Sequence, residues 1–317
     1  MEEIAAFRGE LTGYCYRMLG SYAEAEDAVQ ETLVRAWRGR FEGRSGLRTW
    51  VYRIATNVCL DALASGRRRA LPMDLSGPSA GGTPPAAPHD GALWVEPCPA
   101  GGPEAAAASG ESVRLAFVAV LQHLPPRQRA TLVLRDVLGF SAREVADLLG
   151  STVASANSAL GRARATLADR RSAGASASAR SGGDRVRRLL AERYAAAFAR
   201  YDMAELTLLL HVDATLSLPP YAHWMRGLPD IRAWLTGPAI GCRGSRLLPT
   251  WANGSPAFAQ YRPGPDGSGY VPWALQVLDF SGDRITAITA FRDTARLFPL
   301  FGLPDRLLDD PRAAVHT

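Results

Sequence analysis

Residues 76–110 constrain this chain more than any other stretch: seven prolines and seven glycines stand among these 35 positions, with alanine and serine filling much of the remainder. Proline removes backbone donors and glycine costs the most entropy to order, so the stretch is expected to be a disordered tether. A shorter one, SAGASASARSGGD at 172–184, has the same character. The chain has 317 residues, more than one typical core holds, and the two tethers divide it into segments 1–75, 111–171 and 185–317.

Hydrophobic residues make up 47% of the chain, which is ordinary for a folded protein and argues against global disorder. The formal net charge is +5, and all 36 basic residues are arginine. That balance is compatible with a nucleic-acid partner without establishing one. Cys15, Cys59, Cys98 and Cys242 are scattered, with no CxxC or Cys/His metal spacing. A reduced cytoplasmic protein with no metal and no cofactor is therefore expected. The start, MEEIAAFRGE, is acidic and amphipathic, unlike a signal peptide. No apolar run reaches the ~18 residues that cross a bilayer, so no membrane association is expected.

The first segment has helical periodicity. Ile4, Phe7, Leu11, Tyr14 and Met18 recur on one face. Ser21-Tyr-Ala-Glu24 has the form of a capping box and opens a helix with inner stripe Ala25, Ala28, Val29, Leu33, Ala36 and Trp37. A third helix is expected from about Thr49 through Val51, Ile54, Ala55, Val58 and Ala62, ending in Arg67-Arg68-Arg69. In the middle segment Val113, Phe117, Val120, Leu121 and Leu124 form one stripe. Pro125-Pro126 then starts a helix carrying Ala130, Val133, Leu134 and Val137, which Gly139 ends.

The stretch 141–170 carries the sharpest pattern. A second capping box, Ser141-Ala-Arg-Glu144, precedes Val145, Leu148 and Leu149, and Gly150 permits the tight turn between two helices. Thr152 can cap a following helix whose buried face is Val153, Ala156, Leu160, Ala163 and Leu167. Ser155, Ser158 and Arg162 then align at i, i+3 and i+7 on the opposite side. Short polar side chains near the helix start with arginines beyond suit a helix laid in the major groove. A helical hairpin with a solvated polar face has the same pattern, and periodicity alone leaves both readings open.

The runs DAVQETLVRAW (27–37), LRTWVYRIATNVCLDAL (47–63) and LPPRQRATLVLRDVLGFSAREVADLL (124–149) resemble, in order, the conserved regions of extracytoplasmic-function sigma factors of the sigma-70 family. The C-terminal segment is similar to the SnoaL-like (NTF2-like) domain appended in sigma-G-like and sigma-J-like branches. The resemblance implies a multidomain protein: two all-α sigma domains, the second a helix-turn-helix, plus a C-terminal α+β cone. It implies core RNA polymerase as partner, at the β′ clamp helices and the β flap, and promoter DNA as both −35 duplex and melted −10 strand. By position, Asp27, Gln30, Glu31, Val34 and Trp37 match the clamp-binding helix, where acids steer and apolar side chains anchor. A solvated helix face is the lesser reading of the acids. Arg48, Thr49, Trp50, Arg53, Thr56 and Asn57 match the −10 reader, with Asn57 for a base edge and Arg53, Arg67, Arg68 and Arg69 for phosphates. Trp50 shares the face of Ile54 and fits a core role as well. Ser155, Ser158, Arg162 and Arg164 match the −35 reader, with Arg127, Arg129 and Arg143 near its backbone. Departures from the family pattern are a short loop at Arg40-Phe41, Ala64-Ser65-Gly66 in a commonly basic helix end, and Gly161 inside the recognition helix, where glycine costs ~1 kcal/mol against alanine.

In the last segment Val186, Leu189, Leu190, Tyr194, Ala197 and Phe198, then Leu206, Leu209 and Leu210, have helical spacing. Strands follow: ATLSLPP (214–220), then arginine- and aromatic-containing strands, then the hairpin YVPWALQVLDF–SGD–RITAITAF, with a helix at 229–235 between them. Helices followed by a mainly antiparallel sheet indicate an α+β cone, a shape that encloses pockets and that enzymes also use. His211, Asp213, Tyr221, His223, Trp224 and Tyr261 are the candidate lining for a small-molecule ligand. No acid–base pair among them has a spacing that demands catalysis, so a regulatory domain without enzymatic activity is expected. The tail LFPLFGLPDRL (297–307) is apolar and regular; its PDRL resembles a short C-terminal motif of related sigma factors, through which the appended domain contacts the sigma core, and packing within its own cone is the other reading. Two rival functions remain at this level: a ligand-responsive helix-turn-helix regulator, and a SnoaL-like enzyme fused to a DNA-binding half.

Overall fold

The structure, a computed structural model, describes residues 2–43, 45–64, 69–89, 93–99, 114–173, 184–265 and 269–308. Helices come first because the apolar 3–4 spacing makes them. After one turn at Glu2–Ala5 come α1 (Arg8–Leu19), α2 (Tyr22–Arg38) and α3 (Leu47–Ala64). Helix α1 stops at Gly20, whose positive φ of 71° is the left-handed geometry of a helix stop. Ser21 caps α2 through the Glu24 amide. Leu11, Tyr14, Met18, Val29, Val51, Tyr52 and Ala55 meet in one core with no exposed surface.

The next helices are α4 (Leu115–Leu121), α5 (Pro126–Leu132, running on through a π-helical turn at Val133–Val137), α6 (Ala142–Leu148) and α7 (Val153–Ala173). The Ser141–Glu144 capping box is present in both directions, at 3.2 and 2.7 Å. Gly150 takes φ 58° between α6 and α7, and α7 runs unbroken through Gly161.

Contacts divide the chain differently from its composition. One compact unit takes residues 1–70, 92–98 and 110–175, and the other takes 71–91, 99–109 and 176–317. The two all-α regions therefore share a unit. Arg129 of α5, 3% exposed, is central to it. Its guanidinium donates to Met18 O in the last turn of α1, to Gln122 Oε1 (2.6 Å), and to the carbonyls of Gln122 (3.1 Å) and Leu124 (3.2 Å) beyond α4. Edge-on contact of Tyr52 with Phe140 at 5.1 Å extends the same interface.

The segment read as a tether is held in place over its described residues, and that expectation is corrected. Trp94, Val95 and Cys98 are buried in the first unit. There the Glu96 amide donates to Gly20 O, its carboxylate accepts from Ser21 Oγ at 2.8 Å, and Tyr16 donates to its carbonyl at 2.7 Å. The preceding stretch belongs to the second unit. Ser76 Oγ donates to Ala222 O (2.8 Å), the Gly81 amide to Asp230 Oδ1 (3.0 Å) and the His89 amide to Pro220 O (2.8 Å). A Cβ at Gly81 would lie 2.0 Å from Asp230 O, so this approach admits only glycine. Average composition hid the island Leu93-Trp94-Val95-Glu96, which has side chains to bury.

In the second unit α8 (Asp184–Arg200) and α9 (Met203–Leu209) lead into β1 (Leu210–Ser217), β2 (Trp224–Arg226), α10 (Leu228–Thr236), β3 (Arg246–Ala252), β4 (Ser255–Pro263), β5 (Tyr270–Ser281), β6 (Arg284–Phe291) and α11 (Thr294–Leu300). The sheet order is β2-β1-β6-β5-β4-β3, antiparallel except for the β1–β6 pair. One face packs Leu216, Phe258, Ala274, Leu278 and Ile288 against Tyr194, Phe198, Leu206 and Trp234 of the helices. On the other, α11 buries Leu297 and Phe298, and Phe298 meets Tyr261 at 5.2 Å. The tail returns to its own sheet, where Leu307 and Tyr270 exchange backbone bonds of 2.8 and 3.0 Å.

Removing the Arg129 cation leaves four buried acceptors without their donor. Arg129→Met is expected to lower the unfolding free energy of the full chain by about 2–3 kcal/mol, read by urea denaturation; a change within 0.5 kcal/mol (on the order of a neutral surface substitution) would contradict this role.

Candidate functional site

Three surfaces carry the residues of interest, and the first is one face of α2. The helix buries Ala25, Ala28, Val29, Thr32 and Ala36 and turns Asp27, Gln30, Glu31, Val34 and Trp37 outward. Trp37 is 65% exposed and Val34 38%, so two apolar groups stand in water beside two carboxylates. Leu33 is half-buried, while Trp37 lies outside the core. Glu31 accepts from Arg35 at 2.6 Å, and Arg35 lies 3.6 Å from Asp61 of α3. Exposed pairs of this kind contribute little to stability, which leaves the face available for contact.

The second surface is α3, whose residues split. Asn57 is exposed, and Trp50 and Arg53 are half-buried. Trp50 rests on Phe41 with ring centres 5.4 Å apart. Thr49 and Thr56 point inward, and their assignment to DNA is corrected on this arrangement. Thr56 has no exposed surface and bonds Tyr14 (2.8 Å) and Tyr52 O (2.6 Å). Arg48 has its Nε and Nη2 3.3 Å from Glu10 and its guanidinium 4.5 Å from the centre of the Phe140 ring. Arg69 is buried, bound to Glu24 Oε1 at 2.5 Å and Trp94 O at 2.8 Å and facing Glu96 at 3.6 Å, so it holds the linker and has no surface for phosphate. Arg67 and Arg68 lie outside the described residues.

The third surface is the helix-turn-helix. Ser155, Ser158 and Arg162 stand exposed in one row of α7, while Ala156, Leu160 and Ala163 are buried beneath. Thr152 Oγ1 caps the helix through the Ser155 amide at 3.1 Å. Val153, expected on the buried face, is 43% exposed because it occupies the first turn, before the helix reaches its support. Arg143 is exposed, and Arg127 is exposed with its guanidinium on Leu149 O at the interhelical turn. Arg164 is also exposed but forms a bidentate pair with Asp136 at 2.9 and 2.7 Å. Arg129, expected near DNA backbone, is inside the protein.

The six cone residues do not converge on one pocket. Asp213 is exposed, and its amide donates to Nδ1 of His211 at 3.1 Å. Trp224 gives its indole N–H to Ser76 O at 2.9 Å. Tyr261 has no exposed surface and donates to Pro304 O at 2.7 Å on the α11 face of the sheet. Tyr221 and His223 remain with the cone core, Tyr221 packed against it and His223 buried with its ring 5.2 Å from Trp234. Alternation decides this: odd positions of β4 face α11 and even positions face the cone. A group that sequence reading did not single out gathers on the cone face, where Arg262 and Arg292 both reach the Trp273 ring. The arginine- and aromatic-containing strands were its only signal. Among the described residues no group of His, Cys, Asp and Glu could hold a metal, and no helix is long and apolar enough to cross a membrane.

The Sigma-70 region 2 model matches residues 4–69, the Sigma-70 region 4 model 114–167, and the SnoaL-like domain model 191–288. The ECF RNA polymerase sigma factor SigG of Mycobacterium tuberculosis is 45% identical over 310 residues, 95% of this chain and 83% of that one. The chain belongs to the extracytoplasmic-function sigma factors. SigJ of the same organism is 30% identical over 222 residues, 68% of this sigma factor and 64% of that one. The crystal structure of SigJ superposes with a TM-score of 0.65 at 24% identity, covering 96% of this sigma factor and 99% of that chain, and so shares its fold.

Within the cone, burial holds the His223 imidazole below its ordinary pKa. The unfolded chain therefore takes up this proton first, so the stability is complete above about pH 6.5 and is lost as pH falls through the depressed folded value. Thermal melts of the full chain between about pH 7 and 5 are expected to show a falling midpoint. His223→Gln should flatten that fall; an unchanged slope would contradict the assignment.

Proposed function

We propose that this sigma factor binds core RNA polymerase through the outer face of α2 and directs promoter-specific initiation, with the SnoaL-like domain modulating its activity. The observation that carries the reading is that face: Asp27, Gln30, Glu31, Val34 and Trp37 lie together in solvent, two of them apolar. A polymerase-binding surface needs this mixture, since charge steers the encounter and a desolvated aromatic holds it. Asn57 with Trp50 and Arg53 would take the melted −10 strand. Ser155, Ser158 and Arg162 would read the −35 duplex, with Arg127 and Arg143 on its backbone. The protein supplies no bond-making chemistry, because nucleotide transfer belongs to the polymerase. A plain helix-turn-helix regulator would have no use for the α2 face.

Two features support modulation. Arg48 of α3 is engaged by the turn before α6, donating to Leu138 O at 3.4 Å, so handling of the −10 strand by Arg48 requires its release. The linker residues 71–91 belong to the SnoaL-like unit, which gives that domain covalent leverage on the spacing of the two sigma regions.

Co-purification with core polymerase is expected to be lost, by more than about tenfold in affinity, in Asp27→Arg/Glu31→Arg with the helical circular-dichroism signal kept; intact binding would overturn the assignment of α2. For modulation, a chain ending near residue 175 is expected to differ from the full chain in run-off transcription from its promoter. Identical transcription from the two would defeat the regulatory part alone.

A further inference from the structure

The SnoaL-like cone holds two cations against one aromatic ring, and nothing in the sigma function uses them. Arg262, near the end of β4, and Arg292, just after β6, place their guanidinium carbons 3.7 and 3.5 Å from the centre of the Trp273 ring. Two such groups cannot share one face at that distance without colliding, so the indole is sandwiched between them. Strand alternation brings them there. Phe258, Gln260 and Arg262 of β4 share a face, as do Ile288, Ala290 and Arg292, and Phe258, Ile288 and Ala290 belong to the cone core. A bulge supplies the third member: Gln260 pairs with Ala274 but Tyr261 with Pro272, so Trp273 is the extra residue of β5 and turns to the cone side.

The charge balance of this cluster is incomplete. Among the described residues neither arginine has a carboxylate partner, and their only side-chain hydrogen bond runs from Arg292 Nε to Trp273 O at 2.9 Å. The indole offsets part of the cost of two neighbouring cations, and that interaction uses the guanidinium faces, leaving the N–H edges free to donate. Arg292 is pushed below the usual arginine range, by burial first, with Arg262 adding in the same direction. Only Tyr221 and Cys242 act against that. Gly241 admits the Arg262 guanidinium, because a Cβ there would meet Nη2 at 2.4 Å. Around the cluster Tyr201, Tyr221 and Leu247 pack on the core as an apolar wall. Just before β2, His223 keeps a buried Nε2 with no partner among the described residues.

We infer that this part of the cone binds a small organic carboxylate, its anionic end on the N–H edges of Arg262 and Arg292 and its apolar body along Tyr221 and the wall beside it. Arginine forks match a carboxylate in a bidentate geometry, and a half-buried site strengthens the pairing. The binding itself stands apart from the regulatory reading of the domain. Only a transcriptional effect of the ligand would rest on it.

The test is calorimetric titration of the full chain with benzoate, with benzamide as the neutral analogue and inorganic phosphate as the other anion. Saturable binding of benzoate near one equivalent is expected, with none for benzamide or phosphate. Arg262→Gln, which breaks no hydrogen bond among the described residues, should weaken benzoate about tenfold or more. Arg292→Gln should do the same if its melting point is retained, and Arg262→Gln alone decides if it is not. Absence of saturation with benzoate, equal binding of benzamide, phosphate binding in its place, or unchanged affinity in Arg262→Gln would each overturn the inference. Benzoate binding without any effect on run-off transcription would leave the site standing and count against the regulatory role alone.

Discussion

The buried guanidinium of Arg129 organises the sigma half of this protein. Arg129 spends its donors on carbonyls at the ends of two helices, Met18 O of α1 and the Gln122 and Leu124 carbonyls beyond α4. Helix C-termini carry partial negative charge and unpaired acceptors, so they can hold a guanidinium where water is absent. Because one acceptor lies in the first sigma region and the others in the second, satisfying Arg129 also sets how the two regions pack. Gln122 reinforces it by donating to Arg17 O at 3.2 Å while accepting from Arg129. The positions of Tyr52, Phe140 and Arg48 follow from that packing.

Arg69 plays a related part for the linker. It is buried among Glu24, Trp94 O and Glu96, and Glu96 in turn takes the Ser21 hydroxyl. Thus the residue that caps α2 also holds the chain crossing over it. Burying Trp94 and Val95 offsets part of the entropy of ordering a proline- and glycine-rich segment. Upstream of this anchor, Ser76, Gly81 and His89 hydrogen-bond within the SnoaL-like unit. The linker is therefore a structural element with two docking sites, one in each unit.

The face of α2 was legible because it depends only on helical period: five residues at 27, 30, 31, 34 and 37 fall on one side whatever packs on the other. The row Ser155, Ser158 and Arg162 was legible for the same reason. Thr56, Arg69, Arg129 and Arg164 were not. Each matches a functional pattern by position, and each is decided by a partner far along the chain: Tyr14, Glu96, Met18 and Asp136. The cone residues failed by a related route. Tyr261 and Arg262 are neighbours in sequence, but the strand pleat sends one to the α11 face and the other to the cone, and a one-residue bulge adds Trp273 to the second group.

By itself the sequence determined the family, the order of the domains, the helical stripes and the outward face of α2, because these follow from motifs and from periodicity within single elements. Tertiary structure alone decided which arginines are free and which are internal struts, since a guanidinium's role depends on acceptors that arrive from elsewhere in the chain. It also decided that the linker is held, through the island Leu93-Trp94-Val95-Glu96 that average composition masks. The pairing of Arg262 and Arg292 across Trp273 belongs to the same class, because three strands, one of them bulged, must come together before the two charges meet.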